Sequence, residues 1–353
     1  MKVLMVIKKL RYSGAYKMFI WVAESLAKRG FDVIVFTYMK SDVSRLHGNI
    51  KWVQDDLEMA GFVKQIRKVH SLIKEYRPDV CISFLLDANI VNTLACLGTK
   101  AQSVICERND PFKPKYYKLK LTKWIFRWAD GAVFQLPKVK EYYSMVKGHT
   151  AVIPNPVQTP NDNITLSSFE NRKNKIVTLG RIDVEQKRHD VLIQAFLSLH
   201  ENYPNYELDI YGDGHKKDVD YIQSLINKLN LSKWIHLKGI TNSPKEVLSE
   251  AKFFVLSSDF EGIPNALIEA MTIGLPCIST DCRPGGAALL LKNKKNGILV
   301  PPHDIQQLSE AMLYMATHPE ESEAMGKQAK LISKDFSENI IIEKWISYLQ
   351  QFA

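Results

Sequence analysis

Three stretches of this 353-residue chain carry residue types at spacings that could do chemistry. The first is FFVLSSDFEGIPNALIEAMTI, Phe253–Ile273. A buried-strand pattern ends at Leu256, and a polar loop takes Glu261, Gly262, Ile263, Pro264 and Asn265 into a helix. Pro264 suits a first helical turn, because the amide it lacks would be unpaired there. The free amides around Gly262 and Asn265, with the helix dipole behind them, form an anion site suited to phosphate. Glu261 precedes the helix, and Glu269 lies eight positions on, about two turns along it. A carboxylate at this mouth repels phosphate, so its use is to accept hydrogen bonds from hydroxyls or to steady a developing cation. The alternative is that Glu261 merely favours a helix N-terminus and Glu269 is solvated.

The second stretch is VTLGRIDVEQKRHD, Val177–Asp190. A strand pattern ends in Gly180, followed by Arg181 and then Lys187 and Arg188. Three cations beyond a strand can clamp a diphosphate, Arg by forked hydrogen bonds and Lys as a point charge; a solvated basic loop is the alternative. The third is YGDG, Tyr211–Gly214, where glycines allow either close approach to a ligand or a plain tight turn. Ser13–Gly14 ahead of a helix makes a weaker anion site. A full G-x-G-x-x-G is absent, which disfavours a dinucleotide.

These loops need strands to hold them. Apolar runs at Lys2–Ile7, Phe31–Tyr38, Val80–Phe84, Ser103–Glu107 and Ala132–Phe134, with a short strand ending at Val152–Ile153, alternate with helical patterns, among them Phe62–Arg77, Ala88–Leu97 and Lys115–Trp128. Asn155–Arg172, with its prolines and asparagines, is expected to be a linker. Alternation then restarts with strands at Ile176–Leu179, Glu207–Tyr211, Ile235–Lys238, Phe253–Leu256, Pro276–Ser279 and Gly297–Val300, and the last fifty residues are nearly all helical. This predicts two doubly wound α/β domains of parallel sheet with a cleft between them, where ligands bind beyond the carboxyl ends of the strands.

Composition agrees with a two-domain globular protein, at 46% hydrophobic and 24% charged residues. No apolar run approaches the ~20 residues of a membrane span, and the N-terminal run is too short for a secretory leader. Five scattered cysteines fit reduced thiols of the cytoplasm. The net charge of +9 is uneven: residues 1–160 hold 26 basic and 13 acidic groups, +13, which leaves 21 and 25, −4, for 161–353. The first half is therefore expected to meet something anionic.

The ordered set Gly180–Arg181…Lys187, YGDG and Glu261-x7-Glu269 within EGIPNALIEAM, followed by GLPCISTD, resembles the retaining glycosyltransferase family 4 of GT-B fold. The resemblance covers essentially the whole chain and is strongest over 175–302. It implies a first domain over 1–160, a nucleotide-sugar domain over 161–336, and a helix over 337–353 crossing back to the first. Arg181 and Lys187 would bind the donor diphosphate beside Gly180 and Gly212. Glu269 would hold the ribose, and Glu261 with the backbone of Gly262, Ile263, Pro264 and Asn265 the donor sugar. Gly239, Ile240 and Thr241 would hold the base, and Gly14 would approach the diphosphate from the first domain. Glu261, Arg181 and Lys187 would carry catalysis, with no metal and no other cofactor.

The chain departs from the pattern at Arg188, where a Gly is usual, and at Ser13–Gly14, where two glycines are usual. It departs again at Cys106–Pro111, which has no His after the fourth strand. There Glu107, Arg108 and Asn109 are the candidates for the acceptor side, and the Glu-Arg-Asn run is similar to the branch building capsule, exopolysaccharide or O-antigen repeat units. The expected reaction moves a hexose or N-acetylhexosamine from a nucleotide sugar, a UDP-sugar first, to a polyprenyl-diphosphate-linked saccharide. Lys113, Lys115, Lys118, Lys120, Lys123 and Arg127 flank Tyr117, Leu121, Trp124 and Trp128 at helical spacing, which suits an anionic membrane surface on the cytoplasmic side; the same stripe could equally be core. Rivals are a nucleotide-sugar epimerase of the same fold and a non-catalytic basic module, although no nucleic-acid motif is present.

Overall fold

Runs such as KVLMVI and VCISF have no wet face to offer, so they require a parallel sheet covered on both sides. The structure, a computed structural model, describes residues 1–10, 14–41, 46–57, 61–108, 111, 119–157 and 166–352. It divides into two units, Met1–Asn155 with Asn339–Ala353, and Pro156–Glu338.

In the first unit, β1 (Lys2–Ile7), β2 (Asp32–Thr37), β3 (Ile50–Gln54), β4 (Val80–Phe84), β5 (Gln102–Glu107), β6 (Gly131–Phe134) and β7 (His149–Val152) pair in parallel, in the order β3-β2-β1-β4-β5-β6-β7. The helices are α1 (Gly14–Lys28), α2 (Phe62–Tyr76), α3 (Leu86–Cys96), α4 (Leu119–Phe126) and α5 (Pro137–Tyr142). One face of the sheet packs Val3, Met5 and Val104 against Phe19, Val22 and Leu26 of α1. The other packs Leu4, Val6 and Cys81 against Val69 and Leu72 of α2 and Val91 of α3.

In the second unit, β8 (Lys175–Leu179), β9 (Glu207–Tyr211), β10 (Ile235–Gly239), β11 (Phe253–Leu256), β12 (Cys277–Thr280) and β13 (Ile298–Val300) pair in parallel, in the order β10-β9-β8-β11-β12-β13. Its helices are α6 (His189–Asn202), α7 (Lys216–Lys228), α8 (Pro244–Ser249), α9 (Asn265–Thr272), α10 (Gly286–Leu290), α11 (Ile305–Thr317) and α12 (Pro319–Asp335). Strand order reverses between β8 and β11, the point at which doubly wound sheets open a binding crevice.

The final helix, α13 (Glu338–Leu349), leaves the second unit and completes the first. Trp345 is fully buried and stacks on Phe84 with centroids 6.1 Å apart, and the Tyr348 hydroxyl donates to the His149 carbonyl at 2.8 Å. A Cβ on Gly131 would stand 2.3 Å from that hydroxyl, so glycine is required there for the helix to dock.

Three elements go beyond the sequence reading. β3 is an edge strand of half-exposed and exposed residues without an apolar run, and α5 and α10 are too short to show a helical period. The expected linker ends in structure as well. Phe169–Asn171 form one 3-10 turn, held by Lys252 Nζ donating to the Phe169 and Glu170 carbonyls at 2.6 and 3.2 Å. Among the described residues, no helix is long and apolar enough to cross a membrane.

Candidate active site

Three loops at the carboxyl ends of β8, β9 and β10 brace one another through the backbone. Gly180 N donates to the Tyr211 carbonyl at 2.9 Å, Ile182 N to Asp213 at 2.8 Å, and Gly212 N to Gly239 at 2.8 Å. A Cβ on Gly212 would lie 1.8 Å from the Gly180 oxygen, and one on Gly214 would lie 2.2 Å from the Ile182 oxygen. The glycines of YGDG thus serve close packing of loop on loop. The space they leave is a cavity of about 580 Å³ lined by Gly180, Arg181, Tyr211, Gly212, Ile240, Thr241 and Glu269, among others.

Lys187 stands beside this cavity. Its stem lies over Gly180, where an added Cβ would meet Lys187 Cε at 3.1 Å, and its ammonium forms an ion pair with Glu261 Oε1. The two side chains are only 17% and 10% exposed, so water screens the pair weakly. Ser258 Oγ donates to the same Glu261 oxygen at 3.0 Å, and Ser257 Oγ donates to the Lys187 carbonyl at 2.8 Å. Side chains 74 positions apart are thus joined at the switch point of the sheet.

The Glu261 loop is held from behind. Glu261 N donates to the Arg283 carbonyl at 2.8 Å, and a Cβ on Gly286 would stand 1.4 Å from the Gly262 oxygen. The sequence reading missed Gly286; the signal available was Pro284-Gly285-Gly286, a turn cluster just past Asp281-Cys282. Two expectations are corrected in register. α9 begins at Asn265, so Pro264 precedes the helix instead of opening its first turn. Glu269 is the fifth residue of α9, one turn in, and it lines the cavity half-buried instead of being freely solvated. Ile263 and Pro264 are buried, and Asn265 is exposed.

Arg181 is 59% exposed at the cavity wall and donates to Asp183 at 2.8 Å. Arg188 does not join it. Its Nε and Nη2 fork onto Asp190 at 3.0 Å each, and its Nη1 reaches Asp259 at 3.0 Å and His303 Nδ1 at 2.6 Å. The expectation that Arg188 joins Arg181 and Lys187 is therefore corrected, because every guanidinium nitrogen of Arg188 is already engaged. Those carboxylates push the Arg188 pKa up, Asp190 foremost. Gly239 takes a left-handed φ of 69° at the end of β10, and Ile240 beside it is 72% exposed.

In the first unit, Gly14 is the first residue of α1, and Ser13 lies outside the described residues. Glu107 ends β5 and is buried, its Oε1 accepting from the Arg108 backbone N–H at 3.0 Å. Arg108 is also buried, its guanidinium over the Phe84 ring at 5.2 Å and its Nη1 on Asn155 Oδ1 at 2.9 Å. Burial pulls the Arg108 pKa down to about 10. Asn109 lies outside the described residues, as do Lys113, Lys115, Tyr116, Tyr117 and Lys118. α4 buries Thr122, Ile125 and Phe126, whereas Trp124 and Trp128 stand 51% and 39% exposed with their rings 4.3 Å apart.

Among the described residues, one group has metal-ligand spacing: Glu207, Asp209 and His236. Lys175 Nζ sits 2.9 Å from Asp209 and 3.7 Å from Glu207, and Lys238 lies 3.8 Å from Asp209. Ammonium groups thus fill the place of a cation, and the cluster is a charge ladder across β8, β9 and β10.

Fold and site together define a glycosyltransferase of GT-B type, two doubly wound parallel-sheet domains. The pattern described as "Glycosyltransferase Family 4" matches residues 13–160, and that described as "Glycosyl transferases group 1" matches 163–332. The chain belongs to these glycosyltransferases. It is 31% identical over 258 residues to an uncharacterized glycosyltransferase of Methanocaldococcus jannaschii, covering 65% of this chain and 62% of that one. It is 26% identical over 364 residues, 99% of both chains, to a Campylobacter jejuni protein. That relative is the GalNAc-alpha-(1->4)-GalNAc-alpha-(1->3)-diNAcBac-PP-undecaprenol alpha-1,4-N-acetyl-D-galactosaminyltransferase. The structure of Anabaena Alr3699/HepE in complex with UDP and glucose shares the fold at a TM-score of 0.79 and 16% identity over 99% of each chain.

Proposed function

We propose that the chain transfers a hexose or N-acetylhexosamine from a nucleotide sugar, a UDP-sugar first, to a polyprenyl-diphosphate-linked saccharide, with retention of anomeric configuration. The observation that carries this is the joining of Lys187 to Glu261 over Gly180, beside a cavity walled by Arg181, Gly212, Ile240 and Glu269. In this reading the uridine lies toward Ile240, the ribose hydroxyls toward Glu269, and the diphosphate between Arg181 and Lys187. The sugar then extends to Glu261 and the backbone of Gly262–Asn265.

The acceptor hydroxyl attacks the anomeric carbon on the face that the diphosphate leaves. The bond from that carbon to the phosphate oxygen breaks as the new glycosidic bond forms, and a diphosphate oxygen takes the acceptor's proton. The protein's part is electrostatic. Lys187 and Arg181 neutralise charge growing on the leaving group, and the weak screening around Lys187 magnifies its effect. No metal or other cofactor is required in this scheme.

Support for the lipid-linked acceptor comes from the Campylobacter relative, whose name specifies an undecaprenyl-diphosphate glycan. Support for the donor comes from the UDP and glucose in the Anabaena structure. The exposed Trp124–Trp128 pair on a basic unit suits a peripheral seat on an anionic cytoplasmic membrane face, where such an acceptor would present its head.

A thermal-shift panel of UDP- and GDP-sugars tests the donor, because a ligand at 100 times its Kd stabilises by about 2.7 kcal/mol. With that donor, Arg181→Ala, Lys187→Ala and Glu261→Ala should each cut transfer by about two orders of magnitude or more. Full activity in all three variants overturns the assignment.

A further inference from the structure

Lys187 and Glu261 sit on separate loops, and something must fix the distance between them. Arg188 directly follows Lys187, and Asp259 precedes Glu261 by two residues. Arg188 holds a left-handed backbone, φ 50° and ψ 46°, immediately before α6. For a residue with a β-carbon that conformation is unfavourable by roughly 1–2 kcal/mol, so its surroundings must hold it there. They do so through the side chain, forked onto Asp190 in the first turn of α6 and bonded to Asp259 across the gap between loops.

The same Asp259 oxygen meets His303 Nε2 at 3.1 Å, and His303, in the loop between β13 and α11, is itself left-handed at φ 63°. Arg188 Nη1 can only donate, so His303 Nδ1, 2.6 Å away, must accept. Gln186 repeats the tie, its carbonyl accepting from Asp259 N at 2.8 Å and its side-chain Nε2 donating to the Phe260 carbonyl at 3.2 Å. Loops after β8, β11 and β13 thus converge on one carboxylate behind the Lys187–Glu261 pair.

We propose that Arg188 and His303 are positioning residues, which clamp Asp259 and thereby set the separation of Lys187 and Glu261 without touching the reacting groups. This rests on the donor-site reading above. Its consequence is a defined split in kinetics: loosening the clamp leaves the donor cavity walls intact but misplaces the two charged groups that act on the leaving group.

The test uses the full chain with whichever UDP- or GDP-sugar raises its melting temperature most, following release of the nucleoside diphosphate. Arg188→Gly suits the left-handed backbone while removing the guanidinium. It should lower turnover about tenfold or more and leave the donor KM within about threefold, and millimolar guanidinium ion should restore part of the loss. His303→Ala should act in the same direction, and the double variant should be little worse than Arg188→Gly alone, since both work through Asp259. Independently of any donor, amide hydrogen exchange over residues 257–263 should quicken in Arg188→Gly. Unchanged exchange, or loss of activity that guanidinium does not rescue, overturns the clamp. Lys187→Ala separates the two readings: its loss of activity beside a fully active Arg188→Gly overturns only the clamp, whereas a fully active Lys187→Ala overturns the donor site and leaves the exchange result to decide the clamp.

Discussion

Replacing Lys187 with Met keeps the stem that lies over Gly180 and deletes the charge. Glu261, 8% exposed, would keep its 3.0 Å bond from Ser258 but lose its counter-ion. Breaking a buried pair from one side costs about 3–5 kcal/mol; the surviving hydroxyl bond and the residual exposure set the low end, about 3 kcal/mol. The second unit runs from Pro156 to Glu338. For a domain of that size each kcal/mol moves Tm by about 2–4 °C, so its transition should fall by roughly 6–12 °C. Adding Glu261→Gln removes the stranded charge, and the double variant should return to within about 1 kcal/mol of the parent, because replacing both members of a buried pair with neutral groups is close to neutral. Transfer should stay lost in both variants. Calorimetry paired with a nucleoside-diphosphate release assay reads the two quantities separately. A double variant as unstable as Lys187→Met would show that the loss was one of packing, and a double variant with parental activity would remove both residues from the reaction.

Two other perturbations have a worked direction. His189, the first residue of α6, is 1% exposed, and burial first, then the Lys187 charge, lowers its pKa from 6.5 to about 4. The unfolded chain therefore binds the proton that the folded one refuses between those values. Stability present above pH 6.5 is lost as pH falls toward 4, by up to about 3 kcal/mol; His189→Asn should flatten Tm between pH 7 and pH 4.5, and an unchanged slope would refute the assignment. Trp124→Ala with Trp128→Ala should reduce co-sedimentation with anionic vesicles several-fold while leaving the far-UV circular dichroism unchanged; equal sedimentation would refute the proposed membrane seat of this pair.

Much of the fold was legible because buried parallel strands announce themselves as apolar runs. Lys2–Ile7, Val80–Phe84, Glu207–Tyr211 and Phe253–Leu256 are strands at the bounds their composition suggests. β3 was not legible, since an edge strand needs neither face fully dry, and IKWVQ alternates too weakly to stand out. At the site, residue type and order picked out Lys187 and Glu261, but pairing across loops is a tertiary fact. Arg188 looked like a third clamping cation because sequence displays its charge and hides the two carboxylates that consume it. Gly286 shows in the sequence only as part of a turn cluster, for the opposite reason: its role is the absence of a side chain against the Gly262 carbonyl, 1.4 Å from where a Cβ would be.

The seating of Trp345, Tyr348 and Leu349 in the core of the first unit has a temporal side. On the ribosome, the strands of that unit emerge long before the helix that finishes their packing, because Pro156–Glu338 must be made in between. At about 5–20 residues per second, that interval is roughly 10–40 s. Throughout it the nascent chain carries Phe84 without its stacking partner, so an early stop near the end of the message leaves a product whose second unit has every residue it needs while the first lacks the plug of its own interior.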